Sequence, residues 1–151
     1  MSQRTFGRLG WDVTEIGFGA WAIGGDSWGR QDDQESLAAL GRALDLGVNF
    51  IDTAQVYGDG HSEQLIGKVM KARGLPSGGG PVKIATKIPP TPGKWPPYPH
   101  DDIRERYPEK YLRERVELSL RDLGADVLDL VQLHTWTRAW NRNPVALETL
   151  G

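Results

Sequence analysis

The sequence predicts an α/β fold of the (β/α)8 TIM-barrel type, here a short N-terminal β-hairpin followed by about the first four βα units. Three observations carry this reading. Short apolar segments rich in β-formers alternate with amphipathic segments of 12–16 residues, the pattern of parallel βαβ units. The apolar segments are nearly unbroken, as strands covered on both faces are. Polar residues suited to acid-base chemistry recur at the C-terminal ends of successive strands, the face on which a parallel barrel opens.

Taken in order, residues 5–14 read as a small hairpin turning at Leu9-Gly10. Residues 15–22 read as a first core strand, ended by Gly24-Gly25. Asp32 or Asp33 can cap a helix with Glu35 in its first turn. Leu37, Leu40 and Leu44 form its apolar face, and Gly47 ends it. Residues 48–54 (VNFIDTA) make a second strand. Ser62 is the expected cap of a second helix with Leu65, Ile66, Val69 and Met70 on its inner face. Gly78-Gly79-Gly80-Pro81 reads as a flexible link to a third strand, residues 82–88 (VKIATKI).

Residues 89–108 hold seven of the ten prolines, with Trp95, Tyr98 and Tyr107. Proline at this density excludes a helix interior or a central strand. A third helix follows, with Leu112, Val116, Leu120 and Leu123 on one face and Gly124 closing it. Residues 127–134 (VLDLVQLH) read as a fourth strand, and Asn143-Pro144 as the start of a fourth helix.

The 151 residues are read as a single domain. A complete barrel needs about 250 residues, so length alone would favour a doubly wound sheet. Gly17-x-Gly19-x-x-Ala22 even matches the loose dinucleotide fingerprint. That fingerprint needs a helix to start at once against the pyrophosphate, whereas here the helix begins some ten residues later. Gly17 and Gly19 are therefore read as tight packing near a strand end. The strand-end residues favour the barrel.

A net charge of −2 and a pI of about 5.9 speak against nucleic acid and anionic membranes as partners. No apolar run approaches the ~20 residues of a membrane span. The N-terminus has no apolar h-region, so no signal peptide is expected. There are no cysteines, which removes disulfides, thiolate nucleophiles and Cys-based zinc sites and fits a reducing cytoplasm. No other metal-ligand spacing appears, and no metal is expected.

Asp52 ends the second strand and Tyr57 lies five residues on; Lys87 ends the third and His134 the fourth. Taken singly, each has a plain structural role: a turn aspartate, a half-buried tyrosine, a lysine snorkelling from the sheet, a hydrogen-bonded core histidine. Four at successive strand ends point to a site. A tyrosine has a reference pKa near 10 and needs tuning to move protons at neutral pH. A nearby lysine ammonium favours the phenolate, and an aspartate keeps that lysine charged and oriented. A neutral histidine can donate to a substrate oxygen. The set suits proton transfer to an oxygen that gains charge as hydride adds to a carbonyl. None of the four can supply the hydride, so a nicotinamide cofactor is expected.

At these residues the chain resembles the aldo-keto reductase family, from about Arg4 onward. The most recognisable motif is Asp45-Leu46-Gly47-Val48-Asn49-Phe50-Ile51-Asp52-Thr53-Ala54. Tyr57-Gly58 and Ser62-Glu63-Gln64-Leu65-Ile66-Gly67 follow at the family's distance. Ala85-Thr86-Lys87, then Ser119-Leu120-Arg121-Asp122-Leu123-Gly124, then Asp129-Leu130-Val131-Gln132-Leu133-His134 continue the match. The resemblance implies the N-terminal part of a barrel enzyme that reduces aldehydes and ketones with NADPH, NADH being the alternative. It implies Tyr57 as the general acid/base tuned by Lys87. Asp52 would pair with Lys87 beside the nicotinamide ribose, and His134 would orient the carbonyl. Trp21 would line the nicotinamide and substrate pocket, and Asp26 would touch the cofactor.

Two departures from the family pattern stand out. The segment from Lys87 to the third helix is longer than usual, and Trp95, Trp136 and Trp140 are expected as an aromatic wall over the mouth. The chain also ends inside its fourth helix, short of the family's phosphate-binding loops. The expectation is a truncated protein, or half barrels that self-associate through exposed strand edges. The alternative to a reductase is a non-catalytic binding or regulatory module, as the family's ion-channel β-subunits are.

Overall fold

A computed structural model describes residues 1–25 and 29–142. Asp26 and the helix expected from Asn143-Pro144 lie outside the described residues. Strands β1 (Gln3–Phe6) and β2 (Trp11–Thr14) pair antiparallel, with Gln3 opposite Thr14 and Phe6 opposite Trp11. A 3-10 turn at Gly7–Leu9 joins them, and Gly10 closes it in the left-handed region at φ 66°. This is the expected hairpin, starting two residues earlier. Asn49 ties it to the sheet: its Oδ1 accepts from Thr14 N at 2.7 Å, and its Nδ2 donates to Asp12 O at 2.8 Å.

The main sheet has four parallel strands in the order β3 (Phe18–Gly19), β4 (Phe50–Asp52), β5 (Lys83–Ile88), β6 (Leu130–Leu133). Helix α1 (Asp33–Asp45) joins β3 to β4, and α2 (His61–Ala72) joins β4 to β5. The single turn α3 (Ile103–Arg106) and α4 (Glu109–Leu123) join β5 to β6. Sequential parallel strands linked by helices are the repeating unit of the predicted architecture.

Local chemistry explains most boundaries. Asp32 caps α1 by accepting from Gln34 N and Glu35 N. Gly124 ends α4 in the left-handed conformation, returning its N–H to Arg121 O and Leu120 O. The predicted inner face of α2 is the centre of the core: Leu65, Ile66 and Met70 are fully buried beside Leu40, Ile51 and Ile84.

Several expectations are corrected. The first strand shrinks from eight residues to Phe18–Gly19, because the chain coils into a 3-10 turn at Ala22–Gly24. A Cβ on Gly17 would lie 3.1 Å from Phe50 O, so its packing is tight, whereas one on Gly19 would meet nothing within 4 Å. Ser62 does not cap α2. Gly60, at φ 90°, takes the cap position, and Ser62 turns inward to donate to Ala20 O and pair with Thr53 Oγ1, both at 2.9 Å. Strand β6 is not covered on both faces. Val131 and Gln132 are exposed and Leu130 and Leu133 only half-buried, because the strand is an edge of the sheet and nothing described pairs beyond it.

The proline-rich segment is folded. Ile103, Tyr107 and Trp140 form a second small core, with Leu112 and Leu133 against it. Tyr107 OH donates to Thr135 O and accepts from Thr135 N, while Trp140 Nε1 donates to Asp101 O. Tyr111 OH donates to Pro90 O, and the Arg106 guanidinium reaches Pro92 O and Lys94 O.

The glycine-rich link is packed rather than free. Gly79 N donates to Asp129 Oδ1, and a Cβ on Gly78 would lie 1.8 Å from Val127 O. Gly78→Ala is therefore expected to push the link off the segment before β6. The cost is about 1–3 kcal/mol, read as a lower urea midpoint at unchanged m-value.

Candidate active site

The register of the parallel sheet brings the strand-end residues together. Asp52 lies opposite Ala85 across β4 and β5. Lys87, two residues farther along β5, carries its side chain on the same face as Ala85. Lys87 Nζ donates to Asp52 Oδ1 at 2.6 Å and to Thr53 O at 2.8 Å, and lies 3.5 Å from Tyr57 OH. The ammonium is also 5.2 Å from the Tyr57 ring centroid. His134 directly follows β6, and its backbone N–H donates to Ile88 O at 2.8 Å. Its ring meets that of Tyr57 edge-on at 5.9 Å.

The loop after β4 holds Tyr57 through its own backbone. Tyr57 N donates to Ala54 O, and Gly60 N donates to Gln55 O. Gly58 sits at φ 66° against Gly24, where an added Cβ would fall 2.1 Å from Gly24 O. The loop therefore presses on the 3-10 turn that follows Trp21. Trp21 stacks beside Tyr57 with centroids 6.0 Å apart and planes 24° off parallel, leaving 46% of its surface exposed. Asp52, Tyr57, Lys87, His134 and Trp21 thus share one mouth.

The expected aromatic wall is only partly formed. Trp95 packs on His134 at 5.1 Å, so it borders the mouth. Trp140 does not: it is 2% exposed and belongs to the core under the loops. Trp136 meets Trp140 edge-on, and its Nε1 donates to Asn141 Oδ1. Trp140 is thus taken into the core, because Ile103 and Tyr107 supply an apolar socket for it, while Trp136 beside it stays 37% exposed.

The electrostatics are specific. The Asp52–Lys87 pair keeps a half-exposed carboxylate beside a mostly buried ammonium. Burial pushes the His134 pKa below its ordinary value of 6.5, and the Lys87 charge adds to this while Asp52 opposes it. At neutral pH the ring is neutral. Its buried Nδ1 has no hydrogen-bond partner among the described residues. An exposed indole beside a tyrosine, with a carboxylate open to solvent, suits the planar ring and ribose of a nicotinamide cofactor. Trp21 would lie against such a ring, and Asp52 would meet its ribose.

Comparison with known proteins shows the family and the fold. The profile of the Aldo/keto reductase family matches residues 15–150. The chain belongs to the aldo/keto reductase family. It is 36% identical over 134 residues to the aldo-keto reductase YhdN of Bacillus subtilis, covering 89% of this chain and 38% of that protein. It is 32% identical over 135 residues to a probable voltage-gated potassium channel subunit beta of Oryza sativa, covering 89% and 37%. Among solved structures, an aldo-keto reductase from Bacillus halodurans in its holo form superposes with a TM-score of 0.69 at 29% identity, covering 99% of this chain and 46% of that one. An aldo-keto reductase from Klebsiella pneumoniae in complex with NADPH gives 0.67 at 29%, covering 99% and 45%. The chain therefore spans about two fifths of these curated relatives. The structural neighbours are (β/α)8 barrels, and β3 to β6 correspond to part of one.

Sequence reasoning missed a polar layer beneath the mouth. Thr53 accepts from Lys87 through its backbone oxygen, and Gln55, Ser62, Glu63, Thr86 and Ser119 are buried around it. One signal was present: Glu63 stands on the apolar stripe of α2, three residues before Ile66 and seven before Met70.

The lowered His134 pKa has a signed consequence. The unfolded chain binds a proton at this side chain up to about pH 6.5, while the folded chain resists it. Stability is therefore lost as pH falls below that value. The urea midpoint of the parent should drop between about pH 7 and pH 5 more than that of His134→Gln.

Proposed function

We propose that the protein is an NADPH-dependent reductase of aldehydes and ketones, with NADH as a weaker substitute. The observation that carries this reading is the Lys87 ammonium, held between Asp52 at 2.6 Å and Tyr57 OH at 3.5 Å. When bound, the nicotinamide supplies a hydride to the carbonyl carbon. As that C–H bond forms, the π electron pair moves onto oxygen, and Tyr57 OH releases its proton there. Lys87 then faces the phenolate it leaves. A charge at this distance, partly shielded from water, acts far more strongly than in bulk solvent. Neutral His134 keeps one N–H to donate to the carbonyl oxygen and orient it. Asp52 holds Lys87 charged and in place. Trp21 and Trp95 border the substrate from two sides, favouring aromatic or apolar carbonyl compounds. Trp136 is proposed as a more peripheral part of that pocket, and Asp26 as a further cofactor contact.

Likeness to NADPH-bound relatives supports the choice of cofactor. Likeness to channel β-subunits favours a second reading, a binding or regulatory module. The two differ in one measurement, NADPH consumption with a panel of aldehydes by the full-length protein. Under the reductase reading, Tyr57→Phe and Lys87→Met each lower kcat by roughly 10²–10⁴-fold while NADPH binding persists. A parent that binds NADPH without turning over any aldehyde would support the module instead.

The mouth geometry adds a selectivity test. Trp95→Ala is expected to raise KM for an aromatic aldehyde about tenfold more than for a short aliphatic one, the worth of one lost ring contact. Equal changes for both substrates would remove Trp95 from the pocket.

A further inference from the structure

Besides Asp52 at the mouth, Lys87 is held from below at three points. Thr53 O accepts from its Nζ, Gln55 N–H donates to its carbonyl at 3.2 Å, and Thr86 precedes it on β5. The side chains of all three holders leave the mouth and enter the same buried layer. Thr53 Oγ1 pairs with Ser62 Oγ at 2.9 Å, Gln55 Nε2 donates to Ser119 Oγ at 2.7 Å, and Thr86 Oγ1 donates to Glu63 Oε1 at 2.6 Å. Gln55 Nε2 also donates to Arg115 O, which fixes the orientation of its amide.

Glu63 lies at the centre of this layer and is fully buried between α2, α4 and β5. Its hydrogen bond comes from Thr86 on β5, while Ser119, which receives Gln55 Nε2, lies close enough to lower its pKa. Its second oxygen has no partner among the described residues. A buried, unpaired carboxylate would be costly. Burial pushes the Glu63 pKa up, and the Asp122 charge adds to the rise, while Thr86 and Ser119 act against it. Thr86 and Lys87 face opposite sides of the pleat, so a bond to Thr86 from the helix side steadies Lys87 without approaching the reacting atoms.

We propose that Glu63 is a positioning residue, which fixes Thr86 on β5 and so sets Lys87, the next residue, against Asp52 and Tyr57. This rests on the reductase reading of Lys87, but its first readout does not depend on turnover. The side-chain NMR signal of Lys87, assigned by its loss in Lys87→Met, reports the ammonium's surroundings in the full-length protein.

Glu63→Ala and the isosteric Thr86→Val should both shift that signal. Glu63→Gln, which keeps an oxygen acceptor for Thr86 Oγ1 in the same place, should restore it. In turnover, Glu63→Ala and Thr86→Val should lower kcat roughly tenfold with KM for NADPH unchanged, and Glu63→Gln should stay within about threefold of the parent. If Glu63→Ala does not fold, Thr86→Val and Glu63→Gln decide the matter.

A lower melting temperature with an unmoved Lys87 signal and parental kcat would overturn the proposal and leave Glu63 a structural residue. So would a Glu63→Gln variant that moves the Lys87 signal as much as Thr86→Val. A parent without turnover would refute the reductase reading alone, and the Lys87 signal would still decide the positioning role.

Discussion

The site depends on the register between β4 and β5. Because Asp52 stands opposite Ala85, a lysine two residues on can lay its side chain back across the strand gap and reach the carboxylate. A slip of one residue would send Lys87 to the helix face and Thr86 to the mouth. The ion pair itself does not secure this register. Its carboxylate is 44% exposed, and such pairs contribute about 1 kcal/mol or less. What holds the strands is the apolar layer of Ile51, Ile84, Leu65, Ile66 and Met70. The ion pair is a product of the fold, and its value is electrostatic placement.

The sheet has two working sides. On the mouth side, half-exposed aromatic rings surround Lys87 and His134. On the helix side, hydroxyls, an amide and a carboxyl are sealed among apolar residues. Buried polar groups of this kind are costly unless bonded, so a connected network tolerates few arrangements. The same low-dielectric surroundings that penalise a wrong rotamer below the sheet sharpen the positions of residues above it. His134 shows the companion effect at the mouth, where burial and a neighbouring cation favour its neutral form.

Much of this was legible from residue order. Periodic leucines marked α1, the run Leu65, Ile66, Val69 and Met70 marked the α2 face, and Gly124 marked the end of α4. Asp52, Tyr57, Lys87 and His134 stood out because polar side chains at strand ends break an apolar pattern. Other features were hidden for physical reasons. Ser62 has the composition of a cap, but the positive φ of Gly60 starts the helix earlier and frees the serine to face inward. The glycine-rich link reads as flexible because sequence shows missing side chains, not the Val127 carbonyl that occupies their place. Trp140 could not be told from Trp136, since only the Ile103–Tyr107 socket distinguishes them.

By itself, the sequence determined the parallel α/β class, the helix faces, and the identity and order of the four polar residues at the strand ends. These follow from local rules, namely periodicity, capping and the chemistry each side chain can do. Only the tertiary structure decided that Lys87 lies between Asp52 and Tyr57, that Trp95 joins the mouth while Trp140 leaves it, and that Thr86 bonds Glu63 beneath the sheet. Each of these depends on contacts between segments 20 or more residues apart, whose distances are set by strand register and core packing rather than by any local preference.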